Sequence, residues 1–373
     1  MAPTFVRPTV RQMSGYTPGE QPGAGDRVIK LNTNENPFPP SPKVMQALAG
    51  IEAEQLRRYP NPTADVFRHA AGEVLGVPME MIIAGNGSDD TLSIAVRTFC
   101  SPGDILACPD PTYSLYPVLA EIAEVNYASV PWEEGYELPI NALLDLKPRA
   151  IFFANPNAPT GTFVKPARVK ELLDRFDGLV LVDEAYADFA DENCLSLVQD
   201  HPNLVISRTF SKGYSMAGVR FGFGIAQAQV IDQMMKVKDS YNCDAIAMLL
   251  AAAAIEDQEY ARDAWDRIRS ERERLADELD KLGWSALPSH ANFLLASVPD
   301  GNGKAAYLGL KHQGILVRFF DKPGLRDKVR ITVGTSQENN ALMAGIKALV
   351  TPEKPTVSRN GAGGHTEGRR EAI

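Results

Sequence analysis

The chain of 373 residues has few of the features that mark several common classes of protein. It contains four cysteines and five histidines, without metal-ligand spacing and without the cysteine framework of a secreted disulfide protein. Lysine and arginine number 38 against 47 aspartates and glutamates, and the resulting net charge of −9 argues against nucleic-acid binding. We therefore expect reduced packing thiols, no metal site and a cytoplasmic location.

Long apolar runs are also absent. The longest, residues 245–255, is too short to span a bilayer and predicts a buried helix. Residues 1–14 lack the apolar core of a signal peptide. With 44% hydrophobic residues, the chain is nevertheless long enough to form two domains and a large core.

Four hydrophobic runs recur about one strand-helix unit apart, which predicts a parallel α/β sheet. They are residues 82–84, 151–154, 179–182 and 204–206. Each run leads into a polar loop. Because ligands of such sheets bind outside the carboxyl ends of the strands, we expect the four loops to converge on one site.

The loop after the last run contains Lys212 among small hydroxyl residues, with Arg220 eight positions later. A lysine amine becomes nucleophilic when burial or nearby cations disfavour its ammonium form, and it then condenses with carbonyls such as pyridoxal phosphate. Thr209, Ser211 and Arg220 are donors that a phosphate would need. Taken alone, the segment is equally compatible with a solvated serine-rich turn.

The other loops fit the same ligand. Residues 85–90 place backbone N–H groups and a serine at the start of a predicted helix, which favours an anion, although a plain helix cap has the same pattern. Asp183 ends an apolar strand, where a carboxylate either needs a cation such as a protonated pyridine or caps the next helix. Tyr186 falls on the same side of the following turn and either reaches the phenolic oxygen of the cofactor or packs in the core.

With these loops, the chain resembles fold-type-I pyridoxal phosphate-dependent aminotransferases, and within them the histidinol-phosphate aminotransferase family. The resemblance runs from about residue 16 to about residue 350. Besides the loops above, the segments that carry it are Leu-Asn-Thr-Asn-Glu-Asn-Pro at 31–37, Arg-Tyr-Pro at 58–60, Pro-Thr-Tyr-Ser-Leu-Tyr at 111–116 and Val-Arg-Ile-Thr-Val-Gly at 329–334. The combination is specific for the superfamily and much less so for the substrate.

The resemblance implies an α/β fold with a large domain and a smaller α/β domain. The large domain is expected to contain a mainly parallel seven-stranded sheet flanked by helices. The expected divisions are an N-terminal arm at 1–30, a large cofactor-binding domain at 31–240 with 31–45 partly shared with the small domain, linking helices at 241–283, a small C-terminal domain at 284–350 and a disordered tail at 351–373.

Roles in cofactor binding are likewise implied residue by residue. Lys212 is expected to form the Schiff base and to move the catalytic proton, Asp183 to hold the pyridine nitrogen and Tyr186 the phenolic oxygen. Tyr113 would stack on the ring. The expected phosphate-binding residues are Gly87, Ser88, Ser211 and Arg220, with Asp89 in the same loop. Tyr59 is expected to reach the phosphate of the neighbouring subunit, which implies a homodimer.

The substrate residues implied by the resemblance are Arg330, Arg318, Tyr16 and Asn34. Arg330 matches the arginine that binds a carboxylate, or the phosphate of histidinol phosphate. Arg318 and Tyr16 match positions of the substrate phosphate site, and their alternatives are a surface salt bridge and an N-terminal packing contact.

One position departs from the family pattern. The family has an asparagine directly before Pro-Thr-Gly that bonds the phenolic oxygen of the cofactor, and this chain has Ala158 there. Asn157 is the expected substitute, but consecutive residues of an extended segment point in opposite directions. Either the loop is shifted or Tyr186 holds that oxygen alone.

The function that the resemblance implies is ping-pong transfer of an amino group from histidinol phosphate to 2-oxoglutarate, giving imidazole acetol phosphate and glutamate in histidine biosynthesis. An arginine binds carboxylate and phosphate equally well, so an aromatic amino acid aminotransferase remains an alternative. A threonine-phosphate-type decarboxylase of the same fold is another. A non-catalytic binding module is disfavoured because it has no need of Lys212, Asp183 and Arg220 together.

Overall fold

The computed structural model describes residues 3–23, 25 and 27–350, so the predicted disordered tail, 351–373, lies outside the described residues. The helices are α1 (Pro8–Gln12), α2 (Pro42–Ala49), α3 (Ala53–Arg57), α4 (Asp65–Leu75), α5 (Ser88–Phe99), α6 (Leu115–Ile122), α7 (Ile140–Asp145), α8 (Pro166–Arg175), α9 (Ala228–Met235), α10 (Ala245–Ile255), α11 (Gln258–Lys281), α12 (Gly303–His312) and α13 (Ser336–Val350). The strands are β1 (Ile29–Lys30), β2 (Ile82–Gly85), β3 (Ile105–Asp110), β4 (Asn126–Pro131), β5 (Ala150–Ala154), β6 (Leu179–Asp183), β7 (Leu204–Thr209), β8 (Gly222–Ile225), β9 (Ser285–Ala286), β10 (Phe293–Ser297), β11 (Ile315–Leu316), β12 (Arg318–Phe319) and β13 (Lys328–Thr332).

The central sheet has seven strands in the order β2-β8-β7-β6-β5-β3-β4. Strand β8 is antiparallel to both of its neighbours, and the remaining neighbouring pairs are parallel. The predicted mainly parallel seven-stranded sheet is therefore confirmed. The four hydrophobic runs of the sequence form β2, β5, β6 and β7.

The apolar runs are continuous because both faces of the sheet are covered by helices. On β5, Ile151 and Phe153 belong to a core cluster that also contains Phe67 of α4 and Leu250 of α10. Phe152, between them, points to the other face and joins a second cluster with α5, α6 and α9. The large unit thus has three layers, helix, sheet and helix.

The apolar run at 245–255 forms α10, which confirms the predicted buried helix. Asp244 caps its first turn by accepting a hydrogen bond from the N–H of Ala247 at 2.8 Å. Among the described residues, no helix is both long and apolar enough to cross a membrane. All four cysteines are unpaired, and three of them are buried.

The C-terminal unit has a four-stranded antiparallel sheet in the order β12-β13-β10-β9. Its core lies between this sheet and helices α11, α12 and α13. Strand β1 pairs in parallel with β11, so the last two residues of the predicted arm lie against this unit. We keep the domain divisions near residues 240 and 283 as a proposal.

Candidate active site

The carboxyl ends of β2, β5, β6 and β7 border one cavity of about 540 Å³, as the loops after these strands were predicted to do. Residues 15–17 of the N-terminal segment and residues 318–322 of the C-terminal unit line the same cavity. The predicted site residues that line it are Tyr16, Asn34, Ser88, Asp89, Tyr113, Asp183, Tyr186, Ser211, Lys212, Arg220, Arg318 and Arg330. Those that do not are Tyr59, Gly87 and Asn157.

Lys212 follows β7 and extends its amine into the cavity. Its Nζ donates a hydrogen bond to the carbonyl oxygen of Thr33 at 2.9 Å. The pKa of Lys212 is lowered to about 8, chiefly by burial and also by the nearby positive charge of Arg330, whereas Glu35 and Asp89 oppose the shift. A substantial share of the amine is therefore unprotonated and nucleophilic near neutral pH, as covalent chemistry with a carbonyl requires.

The lowered pKa predicts how the reactivity of Lys212 depends on pH. The neutral amine forms as pH rises, so its modification by formaldehyde and cyanoborohydride should accelerate through pH 8 and level off above it. Mass spectrometry of the Lys212 peptide after brief exposure at a series of pH values measures this. A rate that keeps rising until above pH 10, as for an ordinary lysine, would contradict the lowered pKa.

The backbone around Lys212 is held by side chains from distant parts of the chain. Asn36 Nδ2 donates to the carbonyl oxygens of Lys212 and Gly213, at 3.0 and 3.2 Å. Trp265 Nε1 on α11 also donates to the Gly213 carbonyl, at 2.8 Å. A Cβ at position 213 would overlap the side chain of Asp188, so glycine permits this close approach. These contacts fix the backbone position from which the Lys212 side chain extends into the cavity.

Asp183, the last residue of β6, lies at the bottom of the cavity and is 3% exposed. It accepts hydrogen bonds from the Tyr116 hydroxyl at 3.1 Å and from the Ala185 N–H at 3.2 Å. Burial raises the pKa of Asp183 to about 7, although the Tyr116 hydrogen bond opposes the shift. A buried carboxylate in this state is stabilised by a cation, and none of its protein partners here carries a positive charge.

Tyr186 lies one turn further on, with Lys212 Nζ at 5.9 Å from its ring centroid. Its hydroxyl oxygen accepts a hydrogen bond from Asn34 Nδ2 at 2.9 Å. The amide oxygen of Asn34 accepts from the Thr332 hydroxyl at 3.1 Å. Both ends of the Asn34 amide thus contact protein groups, and Asn34 also lines the cavity, so its contact with a substrate stays a prediction.

An anion site is formed where β2 leads into α5. Gly87 precedes the helix with φ of +83°, a conformation that favours glycine, and a Cβ there would lie 2.7 Å from Arg220 Nη2. Arg220 Nη1 donates to Ser211 Oγ at 3.2 Å, and its Nη2 is 3.7 Å from Asp89 Oδ2. The N-terminus of α5, with Ser88, Ser211 and Arg220 around it, offers the donors that a phosphate binds.

Tyr113 lines the cavity beside this anion site. Its hydroxyl donates to Asp89 Oδ1 at 3.2 Å, and its ring meets the Tyr16 ring edge-on with 6.1 Å between centroids. Burial raises the pKa of Tyr113 well above its ordinary value, so the phenol keeps its proton. The ring therefore offers a neutral aromatic wall to a ligand.

The structure does not bring Asn157 to the cavity. Its Nδ2 donates to the carbonyl oxygen of Pro111 at 3.0 Å and to Thr160 Oγ1 at 2.8 Å, and so holds the loop together. Ala158, the next residue, lines the cavity instead. Neighbouring side chains of this extended segment point in opposite directions, so the geometry of the loop does not support the expected contact of Asn157 with a cofactor, which stays a prediction.

Two arginines of the C-terminal unit face the cavity. Arg330 is half-buried, with its guanidinium carbon 5.2 and 5.4 Å from the ring centroids of Phe293 and Phe320, and its Nη2 donates to the carbonyl oxygen of Asn32 at 3.0 Å. Its Nε is buried and has no partner within the described residues. Arg318 donates only weakly, to the carbonyl oxygens of Pro18 at 3.3 Å and Thr17 at 3.4 Å. Both guanidinium groups thus retain donors for an anionic ligand.

Tyr59 lies away from the cavity of its own chain. It is 81% exposed, and its ring stacks on that of Tyr241 at 4.6 Å between centroids. Apolar side chains exposed in the neighbouring helices α2 and α3 are Met45, Leu48 and Leu56.

Three functional contacts escaped the sequence reasoning: Tyr116 on Asp183, Asn36 on the Lys212 backbone and Thr332 on Asn34. All three residues lie in segments that carried the resemblance, but their partners were not assigned. The spacing of Tyr113 and Tyr116 could have placed Tyr116 at the site, because residues three apart at a helix start share one face.

Known proteins that are similar to this chain in sequence are aminotransferases, in agreement with the geometry of the site. A model of the family described as aminotransferase class I and II matches residues 26–346. The chain is 45% identical over 346 residues to a protein of Trichormus variabilis named histidinol-phosphate aminotransferase 1. That match covers 93% of this chain and 99% of the relative.

Solved structures show the same fold. Histidinol-phosphate aminotransferase from Sinorhizobium meliloti, in complex with pyridoxal-5'-phosphate, matches with a TM-score of 0.84 and 23% identity over 93% of this chain and 99% of that one. L-threonine-O-3-phosphate decarboxylase from Porphyromonas gingivalis matches with a TM-score of 0.76 and 19% identity over 87% and 99%. The expected fold class is confirmed, but the fold alone does not separate the two reactions.

Proposed function

Because the chain belongs to the aminotransferase class I and II family, we propose that it is a pyridoxal phosphate-dependent aminotransferase acting on histidinol phosphate. With 2-oxoglutarate as acceptor, the products are imidazole acetol phosphate and glutamate, in histidine biosynthesis. The observation that carries the substrate is the 45% identity to a histidinol-phosphate aminotransferase over nearly the whole of both chains. The observation that carries the chemistry is Lys212, whose amine lies in the same cavity as buried Asp183.

The residues of the cavity fit pyridoxal phosphate. Asp183 is a buried carboxylate whose protein partners are neutral donors, and a protonated pyridine nitrogen supplies the missing cation. The glycine-lined start of α5 with Ser88, Ser211 and Arg220 suits the phosphate. When bound, this cofactor supplies an aldehyde that condenses with amines and a protonated ring that takes up an electron pair.

Lys212 is proposed to act first as the amine that holds the cofactor and then as the proton carrier. Once displaced by the amine of the substrate, Nζ takes the proton from the carbon that bears the amino group and delivers it to the cofactor carbon. The lowered pKa of Lys212 keeps Nζ able to accept a proton near neutral pH. Asp183 keeps the opposite charge at the ring nitrogen throughout. The acceptor then follows the same steps in reverse, so the kinetics are ping-pong.

The phosphate of the substrate is proposed to bind Arg330 and Arg318 beside Tyr16. These side chains line the cavity from the C-terminal unit and the N-terminal segment. The free donors of the two guanidinium groups carry positive charge, so they bind a phosphate dianion more strongly than neutral donors would. Arg330 should contribute most, because its surroundings lower its pKa by desolvation and therefore screen its charge least.

We expect Arg318→Ala to lower kcat/KM for histidinol phosphate by roughly 10- to 100-fold, the loss expected for one or two hydrogen bonds to a charged group. The same variant should change kcat/KM for histidinol, which lacks the phosphate, by less than about threefold. Steady-state kinetics with the two substrates measures the difference. Equal losses with both substrates would show that Arg318 does not recognise the phosphate.

A half-reaction experiment tests the proposed function as a whole. The protein loaded with pyridoxal phosphate is titrated separately with histidinol phosphate, phenylalanine, glutamate and O-phosphothreonine while the absorption spectrum is followed. We expect histidinol phosphate to produce the pyridoxamine spectrum at a lower concentration than any of the other three compounds. Conversion mainly by phenylalanine would assign an aromatic aminotransferase, and release of carbon dioxide from O-phosphothreonine would assign a decarboxylase.

We also propose that the enzyme is a homodimer in which Tyr59 completes the site of the partner subunit. Its 81% exposure and its distance from the lining of its own cavity support this, as do the exposed apolar residues of α2 and α3. Sedimentation analysis should give twice the chain mass of 40.6 kDa.

A cytoplasmic location is proposed in keeping with the four unpaired cysteines.

A further inference from the structure

Asn34 joins the two units of the molecule through buried hydrogen bonds. Its backbone N–H donates to Thr332 Oγ1 at 3.0 Å, and its carbonyl oxygen accepts from Asn292 Nδ2 at 3.0 Å, both in the C-terminal unit. Its side-chain Nδ2 donates to the hydroxyl oxygen of Tyr186, which follows β6 in the large unit. Asn34, Thr332 and Tyr186 are all buried, so water competes little for these bonds.

The hydroxyl of Thr332 decides which end of the Asn34 amide faces Tyr186. Thr332 Oγ1 already accepts the backbone N–H of Asn34, and it donates its single proton to Asn34 Oδ1 at 3.1 Å. Because Oδ1 is held on that side, the amide presents its N–H₂ group to the other side, where Tyr186 lies. The Tyr186 oxygen is therefore an acceptor in this contact, and its own proton is free for another partner.

That proton is available at neutral pH and lies at the cavity. Burial raises the pKa of Tyr186, against the opposing influence of Arg330 and the Asn34 hydrogen bond, so the phenol stays protonated. Tyr186 lines the cavity near Lys212, and Ala158, which also lines it, offers no polar group. The hydroxyl of Tyr186 is thus the donor that this part of the cavity provides for a ligand oxygen near Lys212.

We propose that Thr332 is a positioning residue which, through Asn34, directs the hydroxyl proton of Tyr186 to the phenolic oxygen of pyridoxal phosphate. The inference rests on the proposed function, because that oxygen belongs to the proposed cofactor and lies next to the aldehyde that Lys212 binds. A directed donor favours the deprotonated form of the oxygen and so lowers the pKa of the bound chromophore. Thr332 itself touches neither cofactor nor substrate in this arrangement.

The test is a pH titration of the absorption band of the bound cofactor in wild type, Thr332→Val and Thr332→Ser. Valine keeps the shape of threonine but cannot hold Asn34 Oδ1, so the amide is free to turn and to accept the Tyr186 proton. The apparent pKa of the band should rise by roughly one to two units, the shift for losing one hydrogen bond to a charged oxygen. Serine keeps the hydroxyl and should titrate as wild type does.

A double-mutant cycle shows whether Thr332 acts through Tyr186. In a Tyr186→Phe background, Thr332→Val should leave the apparent pKa of the band unchanged, because the proton that it redirects is gone. If Thr332→Val does not fold, Thr332→Ala replaces it. Alanine also lacks the hydroxyl that holds Asn34 Oδ1, so a similar rise is expected.

The outcomes separate this inference from the proposed function. If the band titrates in wild type and Thr332→Val has the same apparent pKa, the inference is overturned and the proposed function is not. If Thr332→Val raises the apparent pKa equally in the wild-type and Tyr186→Phe backgrounds, the inference is also overturned, because Thr332 would then act independently of Tyr186. A folded wild type that shows no titrating band with pyridoxal phosphate would contradict both.

Discussion

Lys212→Ala should abolish transamination, with kcat reduced by at least about 10⁴-fold, because the variant loses both the amine that holds the cofactor and the base that moves the proton. Residual cofactor should remain bound through Asp183 and the anion site at the start of α5, but without the absorption band of a covalent bond to lysine. Single-turnover kinetics with histidinol phosphate measures the loss.

A small primary amine separates the two tasks of Lys212. In the cavity left by the missing side chain, methylamine acts as a diffusible base and should restore part of the rate, in proportion to its concentration. Lys170→Ala is the matched control, since Lys170 is exposed on α8 and pairs with Asp174 far from the cavity. Full activity of Lys212→Ala without added amine would contradict the assignment of Lys212 as the catalytic base.

Asp183→Asn should lower kcat by roughly 10³-fold, since it removes a charge positioned where charge develops in the reaction while keeping the shape of the side chain. Burial of the Asp183 carboxylate, which raises its pKa to about 7, destabilises the folded protein. Asparagine carries no charge, so the thermal stability of the variant without cofactor should equal or exceed that of wild type. Loss of activity without loss of stability is the expected pattern.

Two comparisons check that the charge of Asp183 is responsible. Tyr116→Phe removes one hydrogen bond to the carboxylate and keeps the charge, so it should cost no more than about tenfold. A cofactor methylated at the pyridine nitrogen carries a fixed positive charge and should recover part of the activity of Asp183→Asn. If Tyr116→Phe and Asp183→Asn lose activity equally, the hydrogen bond rather than the charge matters.

The sequence allowed the sheet and the main side chains of the site to be predicted, because both depend on local pattern. The apolar runs gave β2, β5, β6 and β7, and the residue that ends each run falls at the same edge of the sheet. Lys212 and Asp183 could therefore be placed in one cavity before the structure was known. The resemblance to a family added the roles, which the fold alone does not supply.

Contacts between distant segments could not be predicted in the same way. Asn36 reaches the Lys212 backbone across 176 residues of chain, and Asn34 reaches Thr332 across 298. Such partners depend on how the C-terminal unit docks on the large unit, which no local pattern encodes. The direction of the Asn157 side chain could not be predicted for a related reason, because it depends on hydrogen bonds with Pro111 and Thr160.

The central claim is that Lys212 binds the cofactor covalently, and borohydride trapping tests it most directly. The protein is loaded with pyridoxal phosphate, reduced with sodium borohydride, digested and mapped by mass spectrometry. The account predicts one dominant phosphopyridoxyl modification, on the peptide that contains Lys212. A modification on another lysine, or none in a protein that is folded and saturated with pyridoxal phosphate, would contradict it.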